Sequence, residues 1–444
     1  MSPFEKPPTG PAPQQLREGL VILARLLLLG ALVGLACWPL NLVDHWQEEL
    51  LLRLPWAHGG QWTTATVLMA LAPVLAIPLL LVLQRGVLAS GAGSGLPQTL
   101  HCLERPEKAD QLLTPPVALN RFLLWALASL MLLPLGREGP VVQLGATVAH
   151  TLRRRLPRLS GPVAAAPLIA VGGGAGLAGG FNAPLMGALF VLEELTGRYQ
   201  PALLWPALVV CSSAALMSNL EGTPLFILDM ISTITPEWRQ MLWAIPMGMG
   251  AGLLGGLFSR GLFMASGWLG PKTLRRPVSW GIALGCSIAL ITLMTGGWSG
   301  GDGEAQMLQM LESQAGLPIP GAPIGLLRWI LMLISRLMAP ILVLAAGIPG
   351  GLIDPALAIG GLFGGGVVQL LGGDAQLGMA LGMAAAMAGA TQLPLVTIAF
   401  TLRMIGDQQW LLGILLSAVV GAVVGRRVQA KPIYHALRAF SSTS

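Results

Sequence analysis

Long stretches without a single charged side chain recur along the chain. They lie at residues 26–43, 54–84, 159–192, 199–220, 240–259, 277–301, 337–353, 355–373, 375–402 and 408–425. Because a helix needs roughly 20 apolar residues to cross the hydrocarbon core of a bilayer, this pattern predicts many membrane-spanning helices. Gly and Pro interrupt several of the runs, which only the interior of a polytopic bundle tolerates at membrane depth. We therefore predict an all-α polytopic membrane protein with many broken helices.

The composition supports this class. Of the 444 residues, 54% are hydrophobic and only 10% are charged, whereas charged residues make up about 25% of ordinary soluble proteins. The net charge of +6 comes from basic residues in short loops, such as Arg153, Arg154 and Arg155, where they set membrane topology. We therefore expect a lipid bilayer, and no nucleic acid, as the partner.

The four cysteines are scattered singly along the chain. None belongs to a CxxC pair or to a metal-ligand spacing, so the sequence predicts neither a disulfide framework nor a metal site. They are Cys37, Cys102, Cys211 and Cys286.

One charged pair, Arg137–Glu138, interrupts 31 residues, Phe122 to Leu152, that otherwise hold no charge. A carboxylate at membrane depth is costly, so it indicates a functional site by default. The alternative is a salt bridge with Arg137, although adjacent helical residues point in different directions. Because proline at the first helical position is a helix-start signal, we also predict that Pro140 opens a new helix inside the membrane.

Part of this pattern is repeated later in the chain. The Gly and Pro spacing of Gly136–Gly145 recurs in Gly351–Gly360, an offset of 351 − 136 = 215, and Pro184-Leu185 recurs as Pro394-Leu395, an offset of 394 − 184 = 210. Two matches in the same order predict a duplicated unit, and repeats in transporters commonly have inverted topology. The predicted organisation is a polar, Pro-rich N-terminal segment (1–18), a transmembrane domain (19–430) with halves at about 19–220 and about 238–430, and a short C-terminal tail (431–444).

Three Gly/Pro elements have the form of helix starts: Gly93–Pro97 (GSGLP), Gly136–Pro140 (GREGP) and Gly351–Pro355 (GLIDP). The first backbone N–H groups of a helix lack an internal partner and carry the positive end of the helix dipole. Several such ends that converge make an anion site. The sequence therefore favours a small anion as the ligand, bound weakly enough to leave again.

Four motifs together resemble the CLC family of chloride channels and chloride/proton exchangers. They are GSGLP, GREGP, the N-A-P-L…L-E-E-L block of Asn182–Leu195, and K-P-I-Y at Lys431–Tyr434. The resemblance runs from about Leu75 to His435. It implies a CLC-type fold of two inverted-topology halves with tilted helices, and a homodimer with one anion pathway in each subunit. It also implies a multi-pass protein of the bacterial inner membrane, of the type without cytoplasmic CBS domains, with chloride and protons as substrates and no cofactor.

The resemblance assigns a role to two glutamates. Glu138 corresponds to the gating glutamate, whose carboxylate competes with chloride for the anion site and leaves when it is protonated. Glu194 corresponds to the internal proton-transfer glutamate, which favours an exchanger over a passive channel. On composition alone, Glu194 would be a charge at the membrane interface.

The resemblance also implies a set of chloride ligands. Without it, a serine between glycines would be an ordinary loop residue, and a tyrosine near a chain terminus would be an interfacial anchor. With it, hydroxyl and backbone groups are expected to bind the anion at Ser94, Tyr434, Gly139, Leu352 and Ile353.

Three residues depart from the family pattern. The third element usually reads G-x-F-x-P with a small residue before the proline, but here Ile353 replaces the aromatic residue and Asp354 the small one, and Arg403 stands where many members carry Glu. Asp354 either directs its carboxylate into the pathway as a second acid-sensitive gate or caps its own helix. Arg137 and Asp354 are the two predicted modulators of the site.

Proton-coupled chloride antiport is the predicted function, and other functions stay open. Within the transport class, these are a passive chloride channel and the exchange of nitrate or fluoride, although Ser94 is not proline and Pro140 is retained. In a different class, Ser299 in Gly297–Gly300 matches the GxSG motif of intramembrane hydrolases. Because His435 is the only histidine after it, a Gly-rich loop is favoured, and we predict a transporter and not an enzyme.

Overall fold

The computed structural model describes residues 12–56, 61–161, 163–197, 200–220, 222, 228, 230, 237–312 and 323–441. Helices account for most of these residues, and the β-type pairing among them is one isolated bridge. The predicted all-α class is therefore confirmed.

The first half of the chain forms helices α1 to α11, several of which begin with proline. Their bounds are α1 Ala12–Leu51, α2 Thr64–Leu71, α3 Pro73–Leu83, α4 Leu96–Glu104, α5 Ala109–Leu112, α6 Pro115–Leu130, α7 Glu138–Arg155, α8 Pro157–Ser160, α9 Ala165–Phe181, α10 Pro184–Phe190 and α11 Pro201–Ser218. Two short segments, Ala89–Gly91 and Pro106–Lys108, are 3-10 turns, and Val191–Leu195 is a π-helical turn.

The second half continues with α12 to α21. Their bounds are α12 Trp238–Met241, α13 Ala244–Arg275, α14 Pro277–Met294, α15 Glu304–Glu312, α16 Pro323–Ala345, α17 Ile353–Leu370, α18 Ala375–Thr391, α19 Pro394–Ile405, α20 Leu411–Val428 and α21 Ile433–Ser441. Helix α21 lies in the predicted C-terminal tail, and its Ile433 and Tyr434 side chains are buried. This part of the tail therefore packs against the protein.

Eight helical stretches of the described chain are long and apolar enough to cross a membrane. A further pair, Pro106–Leu112 and Pro115–Leu130, passes the same test together and is bent by 59°. Helices α9, α18 and α19 are apolar but shorter than a span. The prediction of a polytopic protein with broken and uneven helices is confirmed.

The described residues form two compact units that are interleaved in sequence. One unit is drawn from Met1–Leu42, Gly95–Phe122 and Glu138–Leu225, and the other from Val43–Ser94, Leu123–Arg137 and Phe226–Ser444. We call them the first and the second unit. The chain passes from one to the other inside two of the Gly/Pro elements, after Ser94 and after Arg137.

Each unit contains a closely packed helix pair at the repeated glycine. In the first unit, a Cβ atom on Gly145 of α7 would overlap the carbonyl oxygen of Gly172 in α9. In the second unit, a Cβ atom on Gly360 of α17 would overlap the carbonyl oxygen of Gly382 in α18. The repeated glycine thus has the same physical role in both units: it lets two helix backbones touch, as small residues do in membrane bundles.

The next step of the chain is also repeated. Helix α9 ends at Asn182 and α18 at Gln392, and both caps adopt the left-handed conformation, with φ of 46° and 62°. A proline then begins the following helix, at Pro184 in one unit and at Pro394 in the other. These matching caps support the predicted duplication.

In the second unit, a reciprocal pair of hydrogen bonds joins two of the Gly/Pro elements. The Gly136 N–H donates to the Gly351 carbonyl at 3.0 Å, and the Gly351 N–H donates to the Gly136 carbonyl at 2.9 Å. The indole N–H of Trp125 also donates to the Gly136 carbonyl, at 3.2 Å. The two turns that precede α7 and α17 are therefore held together by their backbones.

The glycine contacts give the first prediction. Gly145→Val and Gly360→Val should each destabilise the protein by about 1–3 kcal/mol, because the added side chain must push two packed backbones apart. The measurement is the midpoint of thermal unfolding of the detergent-purified protein.

Gly270→Ala in α13 is the control, since nothing lies within 4 Å of a Cβ atom there. It should be neutral or slightly stabilising, because alanine favours the helix. A Gly360→Val protein with the midpoint of the unsubstituted protein would contradict the inferred role of these contacts.

Candidate functional site

All three Gly/Pro elements begin helices, at Leu96 for α4, Glu138 for α7 and Ile353 for α17. Helix α7 starts before Pro140, so Pro140 does not open it. Proline is accommodated there because the first N–H groups of a helix have no acceptor within the helix. As a consequence, the Glu138 carboxyl group lies in the first turn of α7, where the helix dipole favours negative charge.

In the first unit, the starts of α4 and α7 are in close contact. Gly95 precedes α4 with a φ of 101°, and a Cβ atom on it would lie 2.9 Å from the carbonyl oxygen of Gly139. Glu138 and Gly139 are both buried, and the Glu138 side chain has no exposed surface. The structure therefore brings the backbone of the first Gly/Pro element against a carboxylate-bearing helix start.

In the second unit, the turn that carries Ser94 is hydrogen-bonded to the segment that leads into α17. The Gly93 N–H donates to the Gly347 carbonyl at 3.0 Å, a few residues before Leu352. Leu352 is 3% exposed, and Ile353 is fully buried. These contacts bring together the segments of three predicted ligands, Ser94, Leu352 and Ile353.

Tyr434 is the fourth predicted ligand of the second unit. It lies in the first turn of α21, which packs against α13 and α18, and it is 2% exposed. The tyrosine is thus a core residue and not an interfacial anchor. Its role as an anion ligand stays a prediction.

Glu194 lies in the π-helical turn that follows α10, outside the helices long enough to span a membrane. Its side chain is 3% exposed, whereas its neighbour Glu193 is half-buried. Burial, together with the charge of Glu193, raises the pKa of Glu194 to about 8. A carboxyl group with a pKa near the working pH can both accept and release a proton, and π-helical turns are frequent at functional sites.

The Arg137 guanidinium is buried among carboxylates of the second unit. Its Nη2 atom lies 2.5 Å from an Asp44 oxygen, 3.6 Å from a Glu304 oxygen and 3.8 Å from an Asp302 oxygen. Carboxylate oxygens of the three acids lie within 4.8 Å of one another, a spacing that suits a bound cation. Here the positive charge next to these carboxylates is supplied by the Arg137 guanidinium. Arg137 therefore pairs with acids that are remote in sequence.

Asp354 connects the start of α17 to the turn that precedes α7, within the second unit. It is fully buried in the first turn of α17, and its Oδ2 atom accepts a hydrogen bond from the Arg137 N–H at 3.2 Å. This contact goes to the neighbouring Gly/Pro element, a destination that the sequence did not predict. Whether Asp354 also gates the pathway or caps its own helix stays a prediction.

Ser299, the residue of the GxSG motif, lies among hydroxyl groups. Its side chain is 1% exposed and lies 3.2 Å from the Thr295 hydroxyl and 3.5 Å from the Thr292 hydroxyl. Both threonines also donate to backbone carbonyls one helical turn earlier. Ser299 therefore belongs to a buried group of hydroxyl side chains at the C-terminal end of α14.

Buried helix starts and buried carboxylates in a polytopic helical bundle are typical of membrane transport proteins. The family model for the voltage-gated chloride channel matches residues 74–426. The chain therefore belongs to the CLC family, as the sequence motifs predicted, and is an integral membrane anion transporter and not an enzyme.

Individual proteins agree with this assignment. The voltage-gated ClC-type chloride channel ClcB of Salmonella typhimurium strain LT2 is 30% identical over 325 residues, which cover 70% of this chain and 74% of the relative. The fold is similar to that of a slow cyanobacterial Cl⁻/H⁺ antiporter (23% identity, TM-score 0.77, 95% of this chain and 98% of that one). It is also similar to a CLC-type fluoride/proton antiporter (23% identity, TM-score 0.71, 94% and 98%).

The acid cluster gives the second prediction. Arg137→Gln should destabilise the protein by about 3–5 kcal/mol, because it leaves buried carboxylates without their guanidinium. The midpoint of thermal unfolding, measured at several pH values, tests this. Arg53→Gln is the control, since Arg53 belongs to the same unit but is exposed, and its midpoint should not change.

The loss of stability caused by Arg137→Gln should grow as the pH rises. Burial raises the pKa of the Glu304 carboxyl group well above its ordinary value, Asp302 raises it further, and Arg137 lowers it. In both proteins the folded state binds more protons than the unfolded chain above the ordinary glutamate pKa, so the stability of both falls as the pH rises. Without Arg137 the folded-state pKa of Glu304 is higher still, so the variant continues to lose stability at pH values at which Glu304 of the unsubstituted protein is already ionised. A pH-independent loss in Arg137→Gln would contradict this account.

Proposed function

We propose that this protein exchanges chloride for protons across the membrane, with Glu138 as the gate and Glu194 as the internal proton-transfer group. The observation that carries the proposal is the second buried carboxyl group, Glu194, with its pKa near 8. A passive anion pathway needs no buried proton carrier. A coupled exchanger needs one in addition to its gate.

The placement of Glu138 supports its role as the gate. Its carboxyl group is fully buried in the first turn of α7, where the ionised form is stabilised by the same N–H groups and dipole that favour a chloride ion. Protonation removes the charge and with it most of that attraction. The ionised carboxylate and the anion then become alternatives at one helix start, and protonation of Glu138 gives the anion access.

The proposed chloride ligands are those expected from the family motifs. Small residues and buried backbone surround the helix starts, so that N–H and hydroxyl groups can bind an anion without a fixed positive charge that would hold it too tightly. These ligands are Ser94, Gly139, Leu352, Ile353 and Tyr434, and Arg137 and Asp354 modulate the site. Chloride is the proposed anion, because it is the ion in the names of the Salmonella relative and the cyanobacterial antiporter.

Passive chloride conduction is the second candidate, because the Salmonella relative is named a channel. The two candidates differ in whether protons move when chloride does. We also propose a homodimer in the bacterial inner membrane, on the basis of the family resemblance and of the bacterial source of that relative.

Glu138→Gln provides the third prediction. Glutamine mimics a permanently protonated gate, so chloride flux should persist while its coupling to protons is lost. The measurement is chloride efflux and proton uptake, recorded together in liposomes that contain the purified variant. Chloride-driven proton uptake at the unsubstituted level would show that Glu138 is not the gate.

Glu194→Gln provides the fourth prediction. Proton movement should stop while chloride still passes, because glutamine keeps the shape of the side chain but cannot carry a proton. Glu193→Gln is the matched control: it changes the adjacent, half-buried carboxyl group and should leave proton transport in place.

The pair of variants separates the possible roles of Glu194. Equal loss of chloride and proton flux in Glu194→Gln would make Glu194 a structural residue. Equal proton loss in both variants would mean that the charge of this turn, and not Glu194 itself, supports proton transfer.

A further inference from the structure

The residue that precedes the proposed gate is held by its side chain and by its backbone. The Arg137 guanidinium lies among Asp44, Asp302 and Glu304, and the Arg137 N–H donates to Asp354. The preceding residue, Gly136, is bonded in both directions to Gly351. Glu138 follows Arg137 directly in the chain, so a change in the conformation of this turn acts on the residue next to the proposed gate.

The carboxylate of Asp354 has no equivalent in the first of the two repeated Gly/Pro elements. The Gly136–Pro140 and Gly351–Pro355 elements align residue by residue, and Asp354 then corresponds to Gly139, which has no side chain. A carboxylate at that position is therefore not required to build a Gly/Pro turn. It reaches back to the N–H of the other element, at 3.2 Å, and adds a charge-assisted hydrogen bond to the two backbone bonds.

We propose that Asp354 is a positioning residue for the gate: its carboxylate holds the Arg137 peptide, and so fixes the turn that presents Glu138. This inference rests on the proposed role of Glu138. With the hydrogen bond in place, the gate carboxyl group has a narrow range of positions and each chloride exchange requires its protonation. Without the bond, the turn relaxes, and chloride passes on some cycles without a proton.

The first measurement is the number of protons moved per chloride in Asp354→Ala, in liposomes that contain the full-length purified protein. This ratio should fall by about tenfold, since a misplacement of catalytic groups by around 1 Å costs one to two orders of magnitude, while chloride flux is kept or increased. Asp354→Asn keeps an oxygen acceptor in the same place and should retain most of the coupling. Coupling lost equally in both variants would show that the charge, and not the hydrogen bond, matters, and would overturn the proposal.

A double-variant cycle tests whether Asp354 acts through Glu138. In the Glu138→Gln background the gate is already neutral, so adding Asp354→Ala or Asp354→Asn should leave chloride flux unchanged. An increase in chloride flux that Asp354→Ala causes to the same extent in both backgrounds would place the effect of Asp354 in the anion pathway itself and would overturn the proposal. If Asp354→Ala does not fold, Asp354→Leu, which has a similarly branched side chain but no hydrogen-bond acceptor, replaces it in both the ratio measurement and the cycle.

Asp374→Ala is the matched control. Asp374 is exposed at the start of α18, and its carboxylate also accepts a backbone hydrogen bond, from the Gln376 N–H at 2.9 Å. Its loss removes the same type of bond outside the site, so the thermal midpoint should fall slightly while the coupling ratio is unchanged. A coupling loss in Asp374→Ala equal to that in Asp354→Ala would mean that general loosening of the fold explains both, and the proposal would fail.

The gate role of Glu138 and the positioning role of Asp354 are tested separately. If Glu138→Gln keeps its proton coupling, the proposed gate is wrong whatever Asp354 does. If Glu138→Gln is uncoupled but Asp354→Ala keeps the full coupling ratio, the gate stands and the positioning role of Asp354 is wrong.

Discussion

A buried guanidinium among carboxylates anchors the turn from which the candidate site is built. Burying any one of these charges alone would be prohibitive, and burying them together is tolerable only where the geometry is close. The 2.5 Å contact between Arg137 and Asp44, with Glu304 and Asp302 nearby, meets that condition. The charge of Arg137 therefore has a structural role in this cluster, whereas the adjacent carboxyl group of Glu138 is the proposed gate.

Within the first unit, Gly95 before α4 lies close to Gly139 in the first turn of α7, and within the second unit the turn before α7 is bonded to the start of α17. Glycine allows these approaches, because Gly95 has a φ of 101° and Gly136 and Gly351 exchange backbone hydrogen bonds; in the proposed site it also leaves backbone N–H groups accessible to an anion. The close α7–α9 and α17–α18 contacts, made through Gly145 and Gly360, hold the helices that carry two of these starts. Glycine therefore serves two purposes: it lets helix backbones pack closely, and it leaves room at the turns that form the proposed site.

Much of this could be predicted from the sequence, because the signals are local. Charge-free runs and Gly/Pro breaks predict the helices, a short repeat predicts a duplicated unit, and a charged pair in an apolar stretch marks Glu138. The partners of Arg137 could not be predicted, since Asp44 and Asp302 lie far away along the chain and leave no periodic trace beside it. The π-helical turn at Glu194 and the hydrogen bond of Asp354 depend equally on tertiary contacts that no local pattern encodes.

Whether protons are coupled to chloride is the central question, and the zero-current potential of the reconstituted protein tests it most directly. The chloride gradient is kept constant while the pH difference across the membrane is varied. For the exchanger that we propose, the potential shifts with the pH difference, because each turnover carries both ions. A potential that stays at the chloride equilibrium value at every pH difference would contradict the account and identify a passive chloride channel.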